Sequence, residues 1–288
     1  MEENLIISKY ITPASPDPTS LMPSGNLTEK IEVILFDLYG TLFISRSGDI
    51  GMSKKNSPQA EKFEKLLQEF GIKKGSQSVL NRFYAAIENR HERLKDQGVD
   101  FPEVEIDQIW MHVLENDDLE SVRKFAVIFE LIANPVYPMP NLGTMLSACR
   151  DSNVLMGIVS NAQFYTPCLF NWFLGSPPED LGFHPDLILY SYKFGYAKPS
   201  TFMFQVAADR LKHMDISVGS ALYIGNDMLN DMYPAKQVGF KTGLFAGDAR
   251  SLRLRENDPK CKNLSVDVVI TDLIQLLDYI PILKNRTN

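Results

Sequence analysis

Cysteine is scarce in this 288-residue chain, and the three that occur are scattered. Cys149, Cys168 and Cys261 show neither metal-ligand spacing nor the even-numbered framework of a disulfide-stapled domain. They read as reduced thiols, which places the expected location in the cytoplasm. No apolar run reaches the roughly 20 residues that a membrane-spanning helix needs. The first residues, Met1-Glu2-Glu3-Asn4, are acidic and lack the pattern of a signal peptide. Positive charge is also in deficit: 29 Lys and Arg against 36 Asp and Glu give a formal net charge of −7. An overall basic face for nucleic acid is therefore not expected. A small anionic substrate is not excluded, because a local cluster of donors can bind phosphate on an acidic protein. The partner expected is a small-molecule substrate, with no nucleic acid and no membrane, and a homodimer is left open.

What the chain does have is the material of an ordinary globular protein, with 44% hydrophobic and 23% charged residues. Its length suits one large domain or two smaller ones. Residues 1–30 hold a short apolar piece, Leu5-Ile6-Ile7, and then Pro13, Pro16, Pro18, Pro23 and Gly25, which reads as an N-terminal arm. The run from Ile31 to Phe36 has the unbroken apolar character of a strand buried on both faces. Residues 43–51 have hairpin character. From Ser57 to about Asn134 the period becomes helical. Ser57-Pro58 makes an N-cap and first-turn pair, Phe63, Leu66, Leu67 and Phe70 share a face, and three more helices follow around Phe83, Trp110 and Phe125. A helical block of this length is too long for an ordinary connection and reads as an inserted subdomain. Strands and helices then alternate to the end, which predicts an α/β fold with a doubly wound, mostly parallel sheet. The domain expectation is an arm at 1–30, an α/β core at 31–50 and 135–288, and a helical insertion at 51–134. The basic run Arg250, Arg253, Arg255 reads as a solvated loop.

Polar groups gather where the predicted strands end. Asp37 follows the first core strand, Ser160 and Asn161 a second, and Asn226 and Asp227 a third, while Lys198 stands just before a helix. In a doubly wound sheet such ends lie along one edge, where ligands bind. A carboxylate can attack an electrophile, a hydroxyl and an ammonium can hold its anionic oxygens, and further acids can hold a metal.

Four segments carry a family resemblance: Asp37-Leu38-Tyr39-Gly40-Thr41-Leu42, Val159-Ser160-Asn161, Gly195-Tyr196-Ala197-Lys198-Pro199, and Gly225-Asn226-Asp227-Met228-Leu229-Asn230-Asp231. Their order, spacing and strand-end positions resemble the four motifs of the haloacid dehalogenase superfamily of hydrolases. The resemblance runs from about residue 31 to 280, and the helical insertion lies where that family keeps its cap. It implies a Rossmann-like core, Asp37 as nucleophile through a covalent aspartyl intermediate, Lys198 as the charge neutralising it, and Thr41, Ser160 and Asn161 as groups around the transferring moiety. It implies Mg²⁺ held by Asp37, the backbone carbonyl of Tyr39 and Asp227, with Asn226 and Asp231 in support. Spacing from Asp231 would put the metal position on Asn226, so either neighbour could be the ligand.

The chain departs from the family's phosphatases at Tyr39, where they carry a second aspartate for acid/base work. A tyrosine, with a reference pKa near 10, is a poor base at neutral pH. The 2-haloacid dehalogenases of the superfamily carry tyrosine there, but their tyrosine after the motif lysine is Phe204 here. Three readings follow: a Mg²⁺-dependent phosphohydrolase of a small phosphorylated metabolite, which leads, a metal-independent 2-haloacid dehalogenase, and a catalytically impaired binding protein on the same fold. Arg46, Arg82, Arg90, His91 and Trp110 are the candidate substrate contacts from the flap and the insertion, with Trp110 reading more as core and His91 as part of a solvated helix face.

Overall fold

The computed structural model describes residues 9–45, 60–152 and 154–279. Residues Leu5-Ile6-Ile7, Arg46 and Ser57-Pro58, and the part of the expected hairpin beyond Ser45, lie outside them. In chain order the elements are β1 (Ser24–Gly25), β2 (Val33–Phe36), β3 (Phe43–Ser45), α1 (Ala60–Glu69), α2 (Ser76–Asp96), α3 (Ile106–Leu114), α4 (Leu119–Ala133), β4 (Val136–Pro138), α5 (Leu142–Asp151), β5 (Leu155–Ser160), α6 (Thr166–Leu174), β6 (Phe183–Tyr190), α7 (Ser191–Phe194), α8 (Phe202–His213), β7 (Ala221–Gly225), α9 (Tyr233–Val238), β8 (Lys241–Phe245), β9 (Val268–Ile270) and α10 (Leu276–Tyr279). A π-helical turn, Met228–Met232, leads into α9.

Strand β2 is the centre of the sheet. Its four residues, Val, Ile, Leu and Phe, are all buried, and it pairs in parallel with β5 on one side and β7 on the other. The strand order is β1-β9-β8-β7-β2-β5-β6. Only β1 runs antiparallel, against β9. The chain builds outward from β2 through β5 to β6 and then returns to the far side through β7. That reversal makes a crevice beyond the carboxyl end of β2, the usual place for a ligand in such a sheet.

Alternation along β2 divides the core into two layers. Ile34 and Phe36 join a layer with Ile158, Leu222 and Ile224. Val33 and Leu35 join the other with Val159, Leu187 and Tyr223. The sheet needs glycine at one crowded point: a Cβ on Gly157 would lie 2.5 Å from Leu35 Cδ2 and 2.7 Å from the Leu187 carbonyl.

The four helices α1–α4 have a hydrophobic cluster of their own, built on Phe63, Phe83, Trp110, Phe125 and Phe129. Phe83 stacks on Trp110 with ring centroids 4.1 Å apart. Trp110 is fully buried in this cluster, so among the candidate contacts it is a core residue. Arg82 pairs with Glu115 at 2.7 Å, and Arg90 is exposed and His91 half-buried on α2.

Strand β3 pairs antiparallel with β4, so the two strands bracket the helical block. The arm from residue 9 onward packs along the sheet. Thr19 Oγ1 donates to the Ala246 carbonyl at 2.7 Å, and the Asp17 amide donates to the buried Asp248 at 3.1 Å.

Segment 101–106, between α2 and α3, is bound to the core. Ala197 N donates to Phe101 O at 2.7 Å and Glu103 N to Gly195 O at 3.0 Å. Ser191 Oγ donates to Glu103 Oε2 at 2.7 Å. Gln163 Nε2 donates to Glu103 Oε1 at 3.2 Å and to Val104 O at 2.9 Å, and its Oε1 accepts from Ile106 N at 3.1 Å. The strap therefore grips the two loops that carry Asn161 and Lys198.

Candidate active site

Asp37 ends β2, and the chain turns sharply there because Gly40 adopts φ +86°. A Cβ on Gly40 would lie 2.6 Å from Asn226 Nδ2, so the turn after Asp37 and the end of β7 approach more closely than any larger residue allows. The structure brings Asp37, Ser160, Lys198 and Asp231 into one buried cluster. Asp37 Oδ1 accepts from Ser160 Oγ at 2.9 Å and from Lys198 Nζ at 2.6 Å. Both donors sit on the same oxygen, which leaves Oδ2 as the atom to present to an electrophile.

Lys198 bridges two acids. Its Nζ also donates to Asp231 Oδ1 at 2.5 Å and to Tyr223 Oη at 3.0 Å. Asn161 holds its backbone from both sides: Oδ1 accepts from Lys198 N at 2.7 Å and Nδ2 donates to Lys198 O at 3.2 Å. Burial pulls the Lys198 ammonium toward neutrality, but the charges of Asp231 and Asp37 outweigh it and its pKa lies above lysine's ordinary value. Burial pushes the Asp231 carboxyl up to about 6, with Asp37 and Asp227 adding to the rise and Lys198 opposing it.

Asp231 is fixed by its own loop. Its Oδ2 accepts from the backbone N–H groups of Asn226, at 3.0 Å, and Asp227, at 2.9 Å. Its carboxyl lies so close over Gly225 that a Cβ there would be 2.5 Å from Cγ. Tyr223, in the middle of β7, reaches the same cluster. Its single proton serves either the Val159 carbonyl or Asp231 Oδ1, each 2.9 Å away. Its one outward sign in the sequence is a polar-tipped aromatic in an otherwise aliphatic strand.

Tyr39 is buried, and its hydroxyl pairs with Thr166 Oγ1 at 2.9 Å. Burial and, next, the charge of Glu130 hold its pKa far above tyrosine's ordinary range. Thr41 Oγ1 donates to Asn226 Oδ1 at 3.2 Å, and Asn226 Nδ2 donates to the Ser251 carbonyl at 2.6 Å. Asn226 thus faces the turn after Asp37.

Asp227 faces elsewhere. Its Oδ1 caps the π-helical turn through Leu229 N and Asn230 N, and Arg255 Nη2 reaches its Oδ2 at 2.6 Å. The basic run, read from sequence as a solvated loop, stays exposed at Arg255 but finds a partner for each arginine. Arg250 binds Asp248 and Asp17, Arg253 donates to the carbonyls of Arg250 and Leu252, and Arg255 takes Asp227. Local sequence patterning carries no sign of these pairings.

Residues 31–239 match the family model described as a hydrolase, haloacid dehalogenase-like hydrolase. No curated protein matches the chain. Among solved structures it is similar to a HAD phosphatase from Thermococcus onnurineus, at 18% identity and a TM-score of 0.53, covering 87% of this chain and 98% of that one. It is equally similar to a 2-haloacid dehalogenase from Pseudomonas syringae pv. Tomato DC3000, at 18% identity and a TM-score of 0.53, covering 88% and 99%. At this identity the likeness is one of fold, and the chemistry has to be argued from the site. No helix among the described residues is long and apolar enough to cross a membrane.

Proposed function

The chain belongs to the haloacid dehalogenase-like hydrolases, and from that premise we propose that Asp37 is the nucleophile of a hydrolase whose leaving group departs as an anion, without a proton from the protein. The substrate class that suits this best is a short 2-halo acid. The observation that carries the reading is the state of Tyr39. Its hydroxyl is buried, bound to Thr166 and shifted far from any pKa useful for acid or base work. A halide needs no such help.

On this reading Asp37 Oδ2 attacks the halogen-bearing carbon while Ser160 and Lys198 hold Oδ1. The carbon–oxygen bond forms as the carbon–halogen bond breaks, and the halide takes the electron pair. Water then adds to the carboxyl carbon of the Asp37 ester, releasing the hydroxy acid and one proton and restoring the carboxylate. The helical insertion acts as a cap that limits water around the ester.

A Mg²⁺-dependent phosphohydrolase remains the second reading, because Ser160 and Lys198 give Asp37 a pair of donors that also suits a phosphoryl group. The family implies Mg²⁺ for it, and the residues here fit that ion poorly. Mg²⁺ in such a site takes one or two carboxylates in a near-octahedral shell of oxygens. Asp227 is engaged by Arg255 and Asp231 by Lys198, and an asparagine stands against the nucleophile turn. No step is therefore routed through a metal.

The test is halide release from 2-chloropropionate beside hydrolysis of p-nitrophenyl phosphate, each with EDTA and with Mg²⁺. Halide release that EDTA leaves unchanged and Asp37→Asn abolishes is expected. Phosphate release that requires Mg²⁺, or no turnover of either compound by the wild type, would overturn the proposal.

A further inference from the structure

The carboxylate of Asp227 is saturated. Oδ1 accepts from Leu229 N at 2.9 Å, Asn230 N at 3.2 Å and Arg255 Nε at 3.1 Å. Oδ2 accepts from Asn230 Nδ2 at 3.0 Å, Arg255 Nε at 3.2 Å and Arg255 Nη2 at 2.6 Å. A carboxylate offers about four lone-pair sites, so a cation could bind it only by displacing donors already there. The guanidinium arrives on a segment fastened to the same loop. Met228 N donates to Arg253 O at 2.9 Å and Arg253 N to Asn226 O at 3.0 Å. Ser251 contributes its carbonyl to Asn226 Nδ2 and its hydroxyl to Gly40 O, at 3.3 Å. Arg255 itself sits at φ +54°, a region a non-glycine residue seldom adopts.

We infer that Arg255 is the protein's own counter-cation for Asp227, and that this ion pair closes the end of β7 to divalent metals. Planar guanidinium and carboxylate match through paired N–H donors. The pair supplies the positive charge that a metal would otherwise bring to this loop. Asn226, neutral and bonded to Thr41, faces the turn after Asp37, and Asp227 beside it is already neutralised by Arg255. The inference rests on the metal-independent reading of the site and explains how the chain achieves it.

The experiment measures metal binding rather than turnover. Wild type, Arg255→Gln, Asp227→Asn and the double variant Arg255→Gln, Asp227→Asn are titrated with Mg²⁺ alone by calorimetry, and their Tm is followed at increasing Mg²⁺. Wild type is expected to give no saturable heat and no change in Tm through the millimolar range. Arg255→Gln is expected to acquire saturable binding and a Tm that climbs with Mg²⁺, as mass action requires of a ligand for the native state. The double variant should lose both. Saturable Mg²⁺ binding by wild type that Asp227→Asn removes would overturn the inference, and this arm stands even if Arg255→Gln does not fold. A folded Arg255→Gln with no Mg²⁺ response would overturn it as well. Failure to release halide would sink the proposed substrate and leave these titrations unaffected.

Discussion

Replacing Lys198 by methionine is the most informative perturbation of this site. The ammonium lies 2.6 Å from Asp37 Oδ1 and 2.5 Å from Asp231 Oδ1, and its side chain is only 3% exposed. Methionine keeps most of the volume and removes the charge, so two buried carboxylates face each other without a cation. Breaking a buried pair by deleting one partner costs about 3–5 kcal/mol, and the upper half of that range is expected because two acids are orphaned. That is a large share of the roughly 5–15 kcal/mol by which a domain is stable. The assay is urea unfolding of both proteins at pH 8 and pH 5. In the wild type the Asp231 carboxyl, raised to about 6, favours the folded state when protonated, so its contribution is present at low pH and fades as pH rises through 6. In Lys198→Met the deficit against wild type should be greatest at pH 8 and should shrink at pH 5, where protonation removes unpaired charge. Adding Asp231→Asn should recover about half of the loss. A deficit under about 1 kcal/mol at both pH values, or one that grows on acidification, would refute the claim that this lysine neutralises the pair.

Three further outcomes follow from the same geometry. Tyr39→Phe should cost about 1 kcal/mol of stability, the net worth of its bond to Thr166, and should leave the pH–rate profile unmoved; a lost limb in that profile would restore Tyr39 as an acid or base. Turnover should fall as pH drops through about 6, where Asp231 takes up a proton and slackens its hold on Lys198, and Asp231→Asn should remove that acid limb along with most of the rate. Gly225→Ala should destabilise by about 1–3 kcal/mol, since its Cβ would lie 2.5 Å from the Asp231 carboxyl carbon; urea unfolding indistinguishable from wild type would show that the Asp231 carboxyl can move aside freely.

The sheet was legible because a strand buried on both faces can be written in few ways. Val33 to Phe36 has no polar residue to leave outside, and the ends of β2, β5 and β7 each announce themselves by a sudden polar residue. The convergence of Asp37, Ser160 and Lys198 followed from topology alone. What escaped the sequence was the choice of partner across long separations. Asp227 reads as a ligand when it is taken with its neighbours, and its carboxylate goes to an arginine 28 positions on. Tyr223 sits in the aliphatic pattern of β7 and yet touches Lys198 and Asp231. Glu103 and Gln163 lie in stretches without period, where nothing local distinguishes a strap from a solvated turn. Partner selection of this kind depends on where loops land after the sheet has formed, and periodicity does not record that.

The strap at residues 101–106 would join ligand entry to site order if substrate reaches Asp37 past it. Six hydrogen bonds tie it to Gln163, Ser191, Gly195 and Ala197, and the loops it grips also carry Asn161 and Lys198. If three must break to admit a substrate, at about 1 kcal/mol each, the open form is on the order of one molecule in a hundred or fewer. Apparent affinity is scaled down by that fraction. A substrate entering there would be weighed twice, once against the strap and once at Asp37, and Glu103→Ala is expected to bind it faster while holding Lys198 less firmly. The same hydrogen bonds would then set both the tightness of the gate and the alignment of the lysine.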